Sequence, residues 1–225
     1  MKKIKAIITG ATGMIGHGVL IECLENDQVE KVLIIVRSKM NIDHPKLEQV
    51  VHEDFFDLTP IIPKLVDYNA CFFCLGISSA GISKDDYYKT TYSLTMHFAS
   101  VLLPLSPDVT FCFISGAGTS TNENSSQNWA NVKGKAENDL LTLPFKKHYM
   151  FRPGFIQPMK GVESKVPMYK KIYKMLGPLY PVIDTLFPKY ITSTPRVGKA
   201  MINAAVEGYE NTYLENADIN ILAGR

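Results

Sequence analysis

The sequence predicts an α/β fold with a doubly wound parallel sheet and a small helical cap in its C-terminal part. Two observations carry this. Short runs of β-branched and aromatic residues recur along the chain, and the first four are nearly continuous in apolar residues, as in strands covered on both faces. Helical stretches separate the runs, so strand and helix alternate.

Taken in order, "KIKAIIT" (3–9) is the first strand and 14–26 the first helix. "KVLIIVR" (31–37) follows as the second strand, and "HEDFFDL" (52–58) ends a short third one. A helix is expected over 59–67, then a strand at "ACFFCLG" (70–76) and a helix over 84–103. "VTFCFIS" (109–115) is the next strand, followed by the polar, turn-rich "STNENSSQN" (120–128), a loop placed to border a site. A helix over 129–141 and a strand at "HYMFRPG" (148–154) complete the alternation.

Over 155–190 five prolines break the rhythm, Pro158, Pro167, Pro178, Pro181 and Pro188, and this stretch is expected to form the cap. It holds six lysines against Glu163 and Asp184. A basic aromatic cap suits an anionic or amphipathic small-molecule substrate; a surface whose lysines are merely solvated fits as well, and contact with a membrane ranks behind both. Pro195 is expected to open a last helix, 195–208, because proline suits a first turn, and "INILA" (219–223) reads as an edge strand. The whole chain, 1–225, reads as one domain.

Composition narrows the function classes. A chain of 225 residues, 46% hydrophobic and 20% charged, can bury a full core, and a net charge of +2 without like-charge blocks gives no reason to expect a nucleic-acid partner. No apolar run reaches the roughly 18 residues of a membrane span. The start "MKKIKAIITG" enters a strand at once. A cytoplasmic protein is therefore expected. Cys71 and Cys74 have a redox-like spacing, but an i, i+3 pair in a strand points to opposite faces. The five histidines show no metal spacing, so no metal is expected.

The chemistry concentrates in Gly10-Ala11-Thr12-Gly13-Met14-Ile15-Gly16, which joins the first strand to the first helix. Gly10 permits the tight turn, Gly13 a close approach of backbone amides to a diphosphate, and Gly16 close packing of helix on strand. The backbone of Thr12, Met14 and Ile15 completes the turn, and the helix N-terminus faces the anion. This is the phosphate loop of a Rossmann fold. Where a carboxylate at the end of the second strand selects NAD, this chain has "IIVRSK": Arg37 and Ser38 favour NADP over NAD. Asp54 and Phe55 are candidates for the adenine edge, and Leu75 with Gly76 for the surface on which the cofactor lies.

With "TGATGMIG" (9–16), Asp54-Phe55, "ISGAG" (114–118), Lys133 and "RPG" (152–154), the chain resembles the atypical or extended short-chain dehydrogenases/reductases, and among them the small nucleoside-diphosphate-sugar-epimerase-like proteins. The resemblance runs over essentially the whole chain. It implies a serine, a tyrosine and a lysine four residues beyond the tyrosine as the catalytic set, with "RPG" closing over the nicotinamide. Ser115 takes the serine's place, with Thr119 as second candidate; Lys133 is the lysine; Pro153 and Gly154 lie beside the cofactor. Dimerisation through the helices over 84–103 and 129–141 is a further implication.

The tyrosine position holds Trp129. A phenol beside lysine and nicotinamide cations passes a proton to or from a carbonyl, whereas indole only donates a hydrogen bond. Three functions follow: a reductase or epimerase-like enzyme drawing its proton from Ser115, a water on Lys133, or Tyr87, Tyr88 or Tyr92; an NADP(H)-sensing protein without turnover that acts through partners; or a protein that uses the nucleotide only as structure and works through interaction with lipid or another protein.

Overall fold

The computed structural model describes residues 3–164 and 180–224. Seven parallel strands form the central sheet: β1 Ile4–Thr9, β2 Val29–Val36, β3 Leu47–Val51, β4 Ala70–Phe73, β5 Thr110–Ile114, β6 Lys147–Arg152 and β9 Tyr213–Glu215. Their order across the sheet is β3-β2-β1-β4-β5-β6-β9, so the winding reverses between β1 and β4. A second, two-stranded parallel sheet pairs β7 Phe155–Gln157 with β8 Ile191–Ser193.

The helices are α1 Met14–Glu25, α2 Lys84–Tyr88, α3 Leu94–Leu105, α4 Asn128–Thr142, α5 Tyr180–Leu186, α6 Thr194–Val206 and α7 Asn216–Leu222. Alternate strand residues serve two cores. Ile4, Ala6, Ile8, Phe72 and Cys112 pack with α1, α6 and α7, while Ile7, Cys71, Phe73, Phe111 and Phe113 pack with α3 and α4. Both faces of β1, β4 and β5 are thus apolar, which is why these runs lack polar alternation. Cys71 and Cys74 are free thiols packed against opposite cores, and burial pushes both thiols up from their ordinary range.

Four expectations are corrected. Residues 219–222 are helical, not an edge strand: Glu215 and Asp218 form a capping box, and Ile219 and Leu222 bury one face of α7. The sheet's edge on this side is β9, three residues long, and its other edge is β3. Over 59–67 the chain makes a 3₁₀ turn, Thr59–Lys64, around Pro60 and Pro63. The helix over 84–103 is interrupted by a π turn at Lys89–Ser93 between α2 and α3. The stretch 155–190, expected to form a helical cap, begins with a strand, β7, before α5; its residues 165–179, with Pro167 and Pro178, lie outside the described residues.

Candidate functional site

The reversal between β1 and β4 opens a crevice at the carboxyl ends of the strands, where open α/β sheets place ligands. Gly10 sits there at φ 69°, and a Cβ on it would lie 2.6 Å from the Cys74 carbonyl oxygen, so β1 and β4 approach closely only because this residue has none. The Gly13 amide donates to the Gly10 carbonyl at 2.9 Å, closing the turn, and the Leu75 amide donates to Thr9 Oγ1 at 3.3 Å, fixing the two strand ends together. Gly13 is the N-cap of α1 and no side chain caps that helix, so its first N–H groups remain for a ligand.

The resulting cavity has a volume of about 480 Å³. Gly10, Thr12, Gly13, Arg37, Asp54, Phe55, Leu75 and Gly76, each picked out in the sequence, all line it. Arg37 is exposed at the end of β2. Asp54 Oδ1 accepts from the Phe56 amide at 2.8 Å, and His52 Nε2 lies 2.7 and 2.8 Å from the Asp54 and Asp57 carbonyl oxygens, holding the loop that closes the cavity. Met14, Ile15 and Gly16 lie behind the wall: Met14 and Ile15 pack on the core, and Gly16 brings α1 against the turn. Ser38 is exposed and off the lining. Sequence reasoning missed Phe56, Thr90 and Leu94, which also line the cavity. Thr90 is delivered by the π turn, for which the sequence carries no signal.

The second group, Ser115, Trp129, Lys133, Pro153 and Gly154, gathers at the ends of β5 and β6, off the lining of that cavity. Lys133 Nζ donates to the Ser115 carbonyl. Ser115 is buried, and its hydroxyl donates to Glu137 Oε1 and approaches the Phe151 carbonyl at 3.1 Å. Trp129 instead faces the next glycines: its ring atoms lie 3.9 Å from the Cβ position of Gly116 and 3.6 Å from that of Gly118. No hydroxyl stands at those two positions. Thr119 Oγ1 donates to the Gly116 carbonyl at 2.7 Å. The Ala117 amide donates to the Pro153 carbonyl at 2.9 Å, and the Gly154 amide to Asn216 Oδ1 at 3.1 Å, which ties "RPG" to the loop after β5 and to α7. Among the tyrosines weighed as donors, Tyr92 gives its hydroxyl to Asp139 at 2.6 Å, Tyr87 is buried, and Tyr88 packs on Tyr92.

Glu137 was also missed. It is fully buried and accepts from Arg152 Nε at 3.0 Å and from Arg152 Nη2. The signal was available: a carboxylate on the helix face that carries Ala130, Gly134 and Leu140 needs a partner across the core.

Burial pushes the Lys133 ammonium down to about 8, against a weaker opposing pull from Glu137. The unfolded chain, with the lysine near 10.5, keeps that proton where the fold has released it, so stability should rise with pH between about 8 and 10.5 and be lowest below 8. Urea titrations across this window check it: the rise should be present in the wild type and absent in Lys133→Met, and equal slopes would remove the assignment.

No family model matches the chain. It is 25% identical over 211 residues to Protein FMP52-1, mitochondrial, of Scheffersomyces stipitis, covering 91% of this chain and 89% of that protein. Among solved structures, Helicobacter pylori ADP-L-glycero-D-manno-heptose-6-epimerase superposes with a TM-score of 0.65 at 14% identity, over 99% of this chain and 83% of that one. The Bordetella bronchiseptica enzyme WbmF in complex with NAD+ gives 0.66 at 13%, over 97% and 77%. A short chain dehydrogenase of Burkholderia cenocepacia in complex with NADP gives 0.64 at 17%, over 99% and 92%. The chain therefore has the fold of the short-chain dehydrogenases/reductases and related epimerases. The expectation of a cytoplasmic protein is corrected by the relative's name, which is that of a mitochondrial protein.

Proposed function

We propose that the chain binds NADP(H) in the cavity at the ends of β1, β2 and β4 and is an oxidoreductase or epimerase-like protein acting on a small carbonyl compound or sugar nucleotide. One observation carries this: the positive-φ Gly10 turn, the uncapped start of α1 and the Arg37 guanidinium meet at a single 480 Å³ cavity. A Cβ at Gly13 would come within 3.2 Å of the Gly10 carbonyl oxygen, so the turn is shaped for bare backbone, the surface a diphosphate needs.

In this reading the amides of the turn and the start of α1 hold the diphosphate, Arg37 faces the 2′-phosphate, and Asp54 with Phe55 borders the adenine. A nicotinamide held along this line would supply the hydride. Lys133, close to neutral at mildly alkaline pH, can hold or release a proton beside the Ser115 carbonyl. Trp129 walls the glycine loop and donates at most one hydrogen bond. A second reading, an NADP(H) sensor without turnover, is favoured by the Ser115 hydroxyl being engaged by Glu137. Oxidation of NADPH by a panel of carbonyl compounds separates the two.

Arg37→Ser should weaken NADPH roughly 10- to 100-fold, the worth of one charge-assisted contact of about 1.5–3 kcal/mol, and leave NADH nearly unchanged. Fluorescence titration of both nucleotides reads it. An unchanged NADPH affinity would remove the 2′-phosphate from Arg37.

A further inference from the structure

We propose that the chain's affinity for NADP(H) comes from the 2′-phospho-ADP half alone, so that oxidised and reduced nucleotide bind equally well. This rests on nucleotide binding in the cavity at the ends of β1, β2 and β4, and it names the part of the ligand that the cavity holds. What carries it is where the hydrogen-bond donors of the crevice are directed. At one end backbone amides are left for a ligand; at the other they are engaged within the protein.

At the adenosine end, Gly13 opens α1 without a side-chain cap, and the bonds of the helix begin with the His17 amide donating to the Gly13 carbonyl at 2.8 Å. The amides of Met14, Ile15 and Gly16 precede that bond and so have no acceptor in the helix, which leaves them for a diphosphate. Arg37 stands on the same lining and supplies a second anion contact, for a 2′-phosphate. Ile35, Phe55 and Leu94 give the cavity an apolar wall suited to an adenine ring. Each group of 2′-phospho-ADP thus finds its own partner here.

The nicotinamide end differs. On the β4 side the lining ends with Leu75, Gly76 and Ile77, and no atom lies within 4 Å of the Cβ position of Gly76, so the cavity opens there. β5 and β6 are the next strands in the sheet, roughly 5 and 10 Å further on. At their ends the amides of Ser115, Ala117, Thr119 and Phe155 donate to the carbonyls of Phe151, Pro153, Gly116 and Tyr190 at 2.8, 2.9, 3.1 and 3.2 Å, and the Gly154 amide donates to Asn216 Oδ1 at 3.1 Å. Lys133 Nζ donates to the Ser115 carbonyl, and the Ser115 hydroxyl to Glu137. A nicotinamide carboxamide or its ribose would displace one of these bonds for each one it made, an exchange with little net gain. The ring then adds nothing that separates NADP+ from NADPH. A sensor built on this site follows the total amount of NADP(H) and not its redox balance.

Calorimetric titrations of the full chain with NADPH, NADP+ and 2′-phosphoadenosine 5′-diphosphoribose, which keeps every phosphate and lacks the nicotinamide, test the proposal. The three affinities should agree within about 3-fold, no more than one weak hydrogen bond would add. Arg37→Ser should lower all three by the same factor. Hydrogen–deuterium exchange is a second readout: amides over 10–16 should be protected by all three ligands, and those over 115–119 and 154–155 by none. A wider spread among the three affinities, or protection of 115–119 by NADPH and NADP+ alone, would overturn the proposal and leave nucleotide binding intact. Absence of binding by all three would instead contradict the nucleotide reading on which it rests, and the proposal with it.

Discussion

Glu137→Ala is expected to destabilise the protein by about 3–5 kcal/mol, because it leaves a guanidinium without its counter-charge in a nearly dry site. Glu137 is fully buried and joins three elements: it sits on α4, accepts from Ser115 at the end of β5, and is bound by two nitrogens of Arg152 at the end of β6. The side chain of Arg152 is only 12% exposed. Its remaining partners are Thr121 Oγ1 at 2.7 Å and the face of Tyr213 at 4.4 Å, and neither replaces a carboxylate. The Glu215 carboxylate, 3.8 Å from Arg152 Nη1, is half exposed and too solvated to take over. Urea unfolding of the variant against wild type measures the cost. A loss under about 1 kcal/mol would mean that water reaches Arg152 and that the network does not hold the sheet ends together.

Gly16→Val should be the most damaging change for nucleotide binding. A Cβ at Gly16 would stand 2.3 Å from the Gly10 carbonyl oxygen, 2.7 Å from its carbon and 3.0 Å from the Ala11 nitrogen, all backbone of the glycine turn. Helix and turn must separate to admit it. Overpacking of this kind costs about 1–3 kcal/mol or more, and the displaced turn can no longer aim its amides at one point. NADPH affinity should fall more than ~100-fold, the loss of two or more charge-assisted hydrogen bonds. Gly76→Ala is the control: no atom lies within 4 Å of its Cβ position, so stability should stay within about 0.5 kcal/mol. If Gly16→Val bound NADPH as the wild type does, the turn would not be where the nucleotide sits.

Parallel strands and the glycine turn between β1 and α1 were legible because each rests on local chemistry. A strand buried on both faces needs a run of consecutive apolar residues, and β1, β2, β4 and β5 have one at 6–8, 32–36, 70–73 and 111–114. Three glycines at fixed spacing between a strand and a helix are needed wherever backbone must approach backbone. What escaped depends on contacts far along the chain or on segments too short for periodicity. β9 has three residues, and "INILA" offers five, too few to separate a strand from a helix; the Glu215/Asp218 box decides for helix. Ser115 follows the last residue of β5, where strand alternation no longer dictates direction, and the buried carboxylate 22 positions on turns its hydroxyl inward. Gly116 and Gly118 then face Trp129, the residue at the position where the resemblance implies a tyrosine.

Calorimetric titration of the purified chain with NADPH and with NADH tests nucleotide binding at the turn over 10–16 most directly. Saturable binding of one NADPH per chain, tighter than NADH, is the predicted result. A folded protein that gives no heat and no saturation with either nucleotide would contradict it.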